Sequence, residues 1–247
     1  MPRRLALILL VALAAWPPPE RAAAATPHGV LRCAAHGKPR ATLLLLPGGG
    51  FVMPAEPVAL RARCRLFARA GFAVVAVAYP LLGCPAALRA ATDEALRARR
   101  AARPVLAYGE SAGGTLAEML AVRGAVPAAV AVAGISDLTT WPRTDERYWS
   151  AVQLPTLLER QAVSPLHRIG PRPGRLLLLH SPEDETVPFA QSVRPAGRHP
   201  GCCHPSATTW MTYPPHQSSP NTSPTVSCAG LPMTVQSPGS RSAGLPA

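Results

Sequence analysis

Short runs of consecutive apolar residues recur along this chain, and between them apolar positions fall three or four residues apart. The uninterrupted runs read as strands that are buried on both faces, and the spaced ones as helices that bury a single face. On that pattern Ala41 to Leu46, Phe72 to Tyr79, Val105 to Tyr108, Ala128 to Ala133 and Arg175 to His180 are strands. Pro57 to Ala70, Ala86 to Ala102 and Thr115 to Val122 are helices. Alternation of this kind predicts an α/β domain, a mostly parallel central sheet with helices on both faces, over residues 26–193. Residues 134–174 hold Trp141, Tyr148 and Trp149 and several apolar turns but no strong strand. They are expected to form a small cap insertion, with aromatics that serve either substrate contact or packing.

The two ends depart from this pattern. Residues 1–25 open with Arg3-Arg4, run apolar from Leu5 to Trp16 and close on Ala22 to Ala25. A basic start, a short apolar run and small residues form a secretory signal peptide, so a secreted or periplasmic location is expected. The apolar run is too short for a permanent membrane anchor. From residue 194 to 247 there is no Asp, Glu or Lys, ten of 54 residues are proline, and apolar periodicity is lost. A Pro/Ser/Thr-rich tail of this composition is expected to be disordered.

Charge changes the picture little at first sight. The formal net charge is +12, but Lys38 is the only lysine among 25 basic residues, which together with the Ala, Pro and Gly content reflects GC-rich coding. Arg97, Arg99, Arg100 and Arg103 lie on one side of a predicted helix with no aromatic residue interleaved for base stacking, so no nucleic-acid partner is expected. The spacing of Cys33, Cys64 and Cys84 fits no zinc site. In an oxidising compartment Cys64 with Cys84 is the pair to test.

The chemistry gathers at three loops. Gly109-Glu110-Ser111-Ala112-Gly113-Gly114 lies between the strand ending at Tyr108 and the helix from Thr115. A serine on a tight strand-to-helix turn needs small residues two positions either side, which makes Ser111 the candidate nucleophile. The Ala112 amide, at the first turn of that helix, is positioned to stabilise an oxyanion. Pro47-Gly48-Gly49-Gly50-Phe51 follows the first strong strand, and Gly49 and Gly50 are candidate oxyanion donors. The loop lacks the Gly-Lys-Ser/Thr of a nucleotide binder. Past the late strand comes Ser181-Pro182-Glu183-Asp184-Glu185-Thr186-Val187-Pro188, where Asp184 is the candidate acid and Glu183 or Glu185 its alternatives. His180 ends a buried strand and is read as structural.

These three motifs, in this order over residues 40–193 and with Ser164-Pro165-Leu166 before the late strand, resemble the α/β-hydrolase superfamily, nearest its secreted esterase and prolyl-oligopeptidase-like branches. The resemblance implies an α/β-hydrolase fold, Ser111 as nucleophile, Asp184 as acid, and Gly49, Gly50 and Ala112 as oxyanion donors. It also implies ester hydrolysis through an acyl-enzyme on short-chain or acetyl esters, with a small-molecule ester as partner and no metal or cofactor. A serine peptidase of the prolyl-oligopeptidase-like type is the alternative, as is a catalytically dead binding protein. Pro47 stands where the family's loop carries a histidine.

The family also requires a histidine after the acid, and none has a supporting element; His204 and His216 are the two late enough to substitute. One explanation of the tail is a Ser/Thr/Pro-rich stalk. The favoured hypothesis is a shifted reading frame. Trp210 and Met211 have single codons, so Trp210-Met211-Thr212 read from each third base gives Asp-Asp. In that frame permitted codons for Ser206 to Trp210 give Gly-His-Asp-Val, and those for Val226 to Leu231 give Val-Val-Arg-Trp-Leu-Ala, the start of a closing helix.

Overall fold

A computed structural model describes residues 29–142 and 145–196 and three later strands, at 202–205, 225–228 and 231–234. The expected leader at 1–25 and most of the tail lie outside the described residues.

The sheet is built on β2 (Ala41–Leu46), every residue of which is buried. It pairs in parallel with β3 (Phe72–Ala78) on one side and β4 (Val105–Glu110) on the other, and β5 (Ala128–Val132) and β6 (Arg175–Leu179) continue in parallel. Side chains of successive residues leave opposite faces of a strand, and here each face has its own core. Leu44 and Leu46 pack with helices α2 (Cys84–Arg99) and α3 (Ala112–Val122), whereas Leu43 and Leu45 pack with Leu60 and Phe67 of α1 (Pro57–Arg69). The start of α1 is set by Pro57 in its first turn and by the Glu56 carboxylate, which accepts from the Val58 and Ala59 amides.

Several elements differ from the expectation. β1 (Gly29–Cys33) is an antiparallel edge strand against β3 and is mostly exposed, so no apolar run announces it. Within 134–174 stand two six-residue helices, α4 (Glu146–Ala151) and α5 (Leu157–Ala162), and a 3₁₀ turn at Pro165–His167. A helix α6 (Ala190–Ala196) follows the acid loop. Beyond residue 196 the described residues of the tail are three four-residue strands, β7 (Cys202–Pro205) in parallel with β6, then β8 (Thr225–Cys228) and β9 (Leu231–Thr234) in antiparallel succession.

The disulfide also differs. Cys33 of β1 is bonded to Cys64 of α1, with Cα atoms 5.9 Å apart, and Cys84 is a free, buried thiol. Cys64 belongs to the core on one face of the sheet and Cys84 to the core on the other, so the sheet itself lies between the pair that the sequence suggested. Burial pushes the Cys84 thiol up to about 12, which keeps it protonated.

One buried carboxyl is out of keeping with its surroundings. Glu118 of α3 is fully buried; its Oε2 accepts from the Ser136 hydroxyl at 2.5 Å, and its Oε1, without a hydrogen-bond partner among the described residues, lies against Gly134, where a Cβ would come within 2.1 Å. Burial raises its pKa to about 8. Between the ordinary carboxylate range and that value the folded chain holds a proton that the unfolded chain has released. Stability is therefore fullest below about pH 4.5 as far as this group is concerned, and is lost as pH rises through about 8. Thermal melts should show Tm falling over that window, and Glu118→Gln should flatten the slope; an unchanged slope would mean that Glu118 does not titrate there.

Candidate active site

The order β3-β2-β4-β5 makes the chain step outward from β2 to β3 and then cross back to β4. The loops leaving β2 and β4 therefore part at a topological switch point, and a crevice opens at the carboxyl ends of these two strands. Leu46 is in register with Gly109, which sets the glycine loop 47–51 beside the turn at Ser111.

That turn is tightly constrained. Ser111 has φ 50° and ψ −120°, a left-handed conformation that costs a side-chain-bearing residue energy, and it is the N-cap of α3. Its amide donates to Val132 O at 2.8 Å, and its carbonyl accepts from the Thr115 amide at 3.0 Å. Neither flanking glycine has room for a side chain: a Cβ on Gly109 would lie 2.0 Å from Gly113 O, and one on Gly113 would lie 2.0 Å from Leu46 O. Behind the serine, Glu110 takes a hydrogen bond from the Tyr108 hydroxyl and an ion pair with Arg63, both at 2.7 Å, while burial raises its pKa against the pull of Arg63.

The glycine loop folds over this turn. A Cβ on Gly48 would lie 3.5 Å from Ser111 Cβ, so the backbone passes in van der Waals contact with the serine. Gly49 has φ 129° and its carbonyl accepts from the Val52 and Met53 amides, which turns the loop back on itself; a Cβ there would strike Met53 O at 2.4 Å. Among the described residues the amides of Gly49, Gly50 and Ala112 have no acceptor. Pro47 has no side-chain donor, and two tyrosines anchor the loop. Tyr79 donates to Pro47 O at 2.8 Å, and Tyr148, from the 134–174 segment, donates to Gly50 O at 3.1 Å.

Asp184 lies five residues past β6, on the same sheet edge as the turn. Its Oδ1 accepts from the Thr186 and Val187 amides at 2.9 and 2.8 Å, and its Oδ2 is 3.5 Å from His180 Nε2. Glu183 and Glu185 are exposed. Trp141 donates from Nε1 to Thr186 O at 3.1 Å, tying the cap segment to the acid loop. His180 is buried and occupied at both ring nitrogens, Nε2 donating to Val187 O at 2.8 Å and Nδ1 accepting from Ser192 Oγ at 2.7 Å. Burial lowers its pKa, so the ring stays neutral. The structure thus brings Gly48 against Ser111, with Gly49 and Gly50 next in the same loop and Ala112 next in the turn, and sets Asp184 on the same edge. None of His36, His167 and His180 is hydrogen-bonded to Ser111 among the described residues; His167 instead meets Asp137 Oδ1 at 3.2 Å. His204 stands on β7, opposite Ser227 of β8, and His216 lies outside the described residues.

Similarity to known proteins follows the same outline. The model of the prolyl oligopeptidase family matches residues 87–198, a span that holds both Ser111 and Asp184. The apo form of esterase 2 from the planctomycete Thermogutta terrifontis superposes with a TM-score of 0.59 at 21% identity, covering 70% of this chain and 75% of that one. Its butyrate-bound form gives 0.57 at 21% identity over 68% and 72% of the two chains. A truncated carbohydrate esterase from gut microbiota gives 0.52 at 16% identity over 67% and 74%. The chain has the α/β-hydrolase fold. No curated protein matches it in sequence. Among the described residues of this chain no helix is long and apolar enough to cross a membrane.

Proposed function

We propose that this hydrolase cleaves short-chain carboxylic esters through an acyl-enzyme on Ser111. The observation that carries the reading is the strained φ of 50° at Ser111, held between two glycines that admit no Cβ and beside a loop in which the Gly49 and Gly50 amides have no acceptor among the described residues. In this reading Ser111 Oγ attacks the ester carbonyl as a histidine takes its proton. The amides of Gly49, Gly50 and Ala112 hold the oxyanion, the alcohol leaves with the proton, and water then releases the acid. Asp184 orients the histidine, which the shifted-frame hypothesis supplies from the tail. Short acyl groups are favoured because the segment over the site consists of two six-residue helices rather than a long apolar lid. The butyrate- and propionate-bound forms of the Thermogutta esterase support the same size class.

A peptidase reading is favoured by the prolyl oligopeptidase match alone. Kinetics on p-nitrophenyl acetate, butyrate and octanoate beside a proline-amide peptide separate the two. The ester reading expects kcat/KM to be highest at two to four acyl carbons and the peptide to be inert, and preferential peptide cleavage would overturn it. Tyr148 is a positioning residue in this scheme. Tyr148→Phe should lower kcat by about tenfold with KM nearly unchanged, since it frees the loop that carries the oxyanion donors. A change confined to KM would place Tyr148 in substrate contact instead.

A further inference from the structure

We propose that the edge of the sheet opposite the candidate active site is a docking face for a planar, anionic phospholipid surface. The five segments that enter β2, β3, β4, β5 and β6 are residues 36–40, 68–71, 99–104, 122–127 and 168–175, and together they carry ten Lys or Arg and no Asp or Glu. Backbone hydrogen bonds, with that of the Arg99 guanidinium to Gly124 O at 3.1 Å, join these segments into one surface. The Arg40 amide donates to Gly71 O, the Thr42 amide to Pro104 O, the Gly174 amide to Ala121 O and the Arg175 amide to Pro127 O, at 2.8 to 3.0 Å. Arg40, Arg69, Arg100, Arg123, Arg172 and Arg175 are all exposed. None of the ten cations is in an ion pair among the described residues, whereas the exposed Arg32 and Arg97 at the side of the molecule both pair with Glu94.

GC-rich coding accounts for arginine in place of lysine, but not for the exclusion of every carboxylate from one edge while Glu56, Asp137, Glu183 and Glu185 crowd the other. Helix C-termini also favour cations, and α1, α2 and α3 all end here, yet that effect calls for one cation per helix. Five parallel strands about 4.8 Å apart span about 20 Å, and the helical layers on either side give the patch a comparable depth. The cations therefore cover a broad face rather than a stripe, which suits a plane of headgroups better than a linear polyanion. The five segments contain no Phe, Tyr or Trp on which a nucleobase could stack. Guanidinium groups bind phosphate oxygens in pairs, and each cation at an anionic leaflet adds to adsorption. Docked in this way, the crevice at Ser111 faces away from the membrane. The inference does not depend on the proposed activity.

The full chain should cosediment with vesicles of phosphatidylcholine and phosphatidylglycerol well above its level with phosphatidylcholine alone, and about 0.5 M salt should release the difference. The triple variant Arg69→Glu, Arg100→Glu, Arg172→Glu should lose about a hundredfold in partitioning onto the anionic vesicles. Arg61→Glu, Arg89→Glu, Arg147→Glu changes the net charge equally on other faces and should retain most of it. The apolar N-terminal stretch is common to all three proteins, so the contrast reads the arginine face alone. Equal losses in the two variants, no preference for anionic vesicles, or tighter binding to duplex DNA than to vesicles would each overturn the proposal.

Discussion

A chain recoded after Val187 so that residues 206–209 read Gly-His-Asp-Val should hydrolyse p-nitrophenyl butyrate roughly 10⁴-fold faster than the chain as it stands. The turn at Ser111, the glycine loop and the loop at Asp184 are all built before residue 190, and among the described residues no histidine is hydrogen-bonded to Ser111. His180 cannot serve, because both ring nitrogens are already used inside the fold. His167 is engaged by Asp137. A serine hydroxyl without a general base loses nearly the whole catalytic advantage of a triad, because the members act as a unit. In the shifted frame the recovered histidine falls about twenty residues after Asp184, where the superfamily pattern wants one, and Asp-Asp at 210–211 is forced by the single codons of Trp210 and Met211. Single-turnover and steady-state kinetics on the two proteins make the comparison. Equal rates would mean that the base lies elsewhere or that none is used.

The second large effect is structural. Gly113→Ala should abolish folding of the nucleophile turn, with a Tm drop well beyond that of an ordinary surface substitution or no soluble protein at all. An added Cβ would lie 2.0 Å from Leu46 O, 2.5 Å from Pro47 O and 2.6 Å from the Leu46 carbonyl carbon. All three are backbone atoms of the central strand and the oxyanion loop, so no side chain can swing aside, and relief requires β2 and α3 to separate. Overpacking of that kind costs about 3 kcal/mol or more, a large share of a typical domain's stability. Ala112→Gly, one residue away, should cost far less, since it adds no atom. Thermal unfolding of the two variants beside the parent tests the contrast, and a mild, similar loss in both would mean that the turn is looser than the geometry shows.

How much of this was legible in the residues follows from burial. The five inner strands announce themselves because a strand covered on both faces is a nearly unbroken apolar run, as in Leu43-Leu44-Leu45-Leu46. β1 is silent because it is an exposed edge, and its identity comes from pairing with β3 about 45 residues later, which no local pattern encodes. The pairing of Cys33 with Cys64 is not legible for a related reason. Spacing along the chain does not say which side of the sheet a helix will cover, and α1 and α2 cover opposite sides. At the site, the strand before Ser111 and the helix after it could be read from apolar runs and glycines. The tyrosines that steady the glycine loop could not, because Tyr79 and Tyr148 reach Pro47 and Gly50 across 32 and 98 residues of chain. Glu118 left no signal either. A lone carboxylate in an apolar helix reads as its solvent-facing position, and only the packing of Gly134 against it reveals complete burial.

The central claim is that Ser111 is a nucleophile, and the most direct test is covalent. A structural relative, the Thermogutta esterase 2, is known in a form phosphonylated by sarin. Both the recoded chain and the chain as it stands should be treated with a fluorophosphonate and examined by intact mass and peptide mapping. The account predicts one adduct per molecule, on the peptide that holds Ser111, formed far faster in the recoded chain and absent from Ser111→Ala. An adduct on another residue, or labelling that survives Ser111→Ala undiminished, would contradict it.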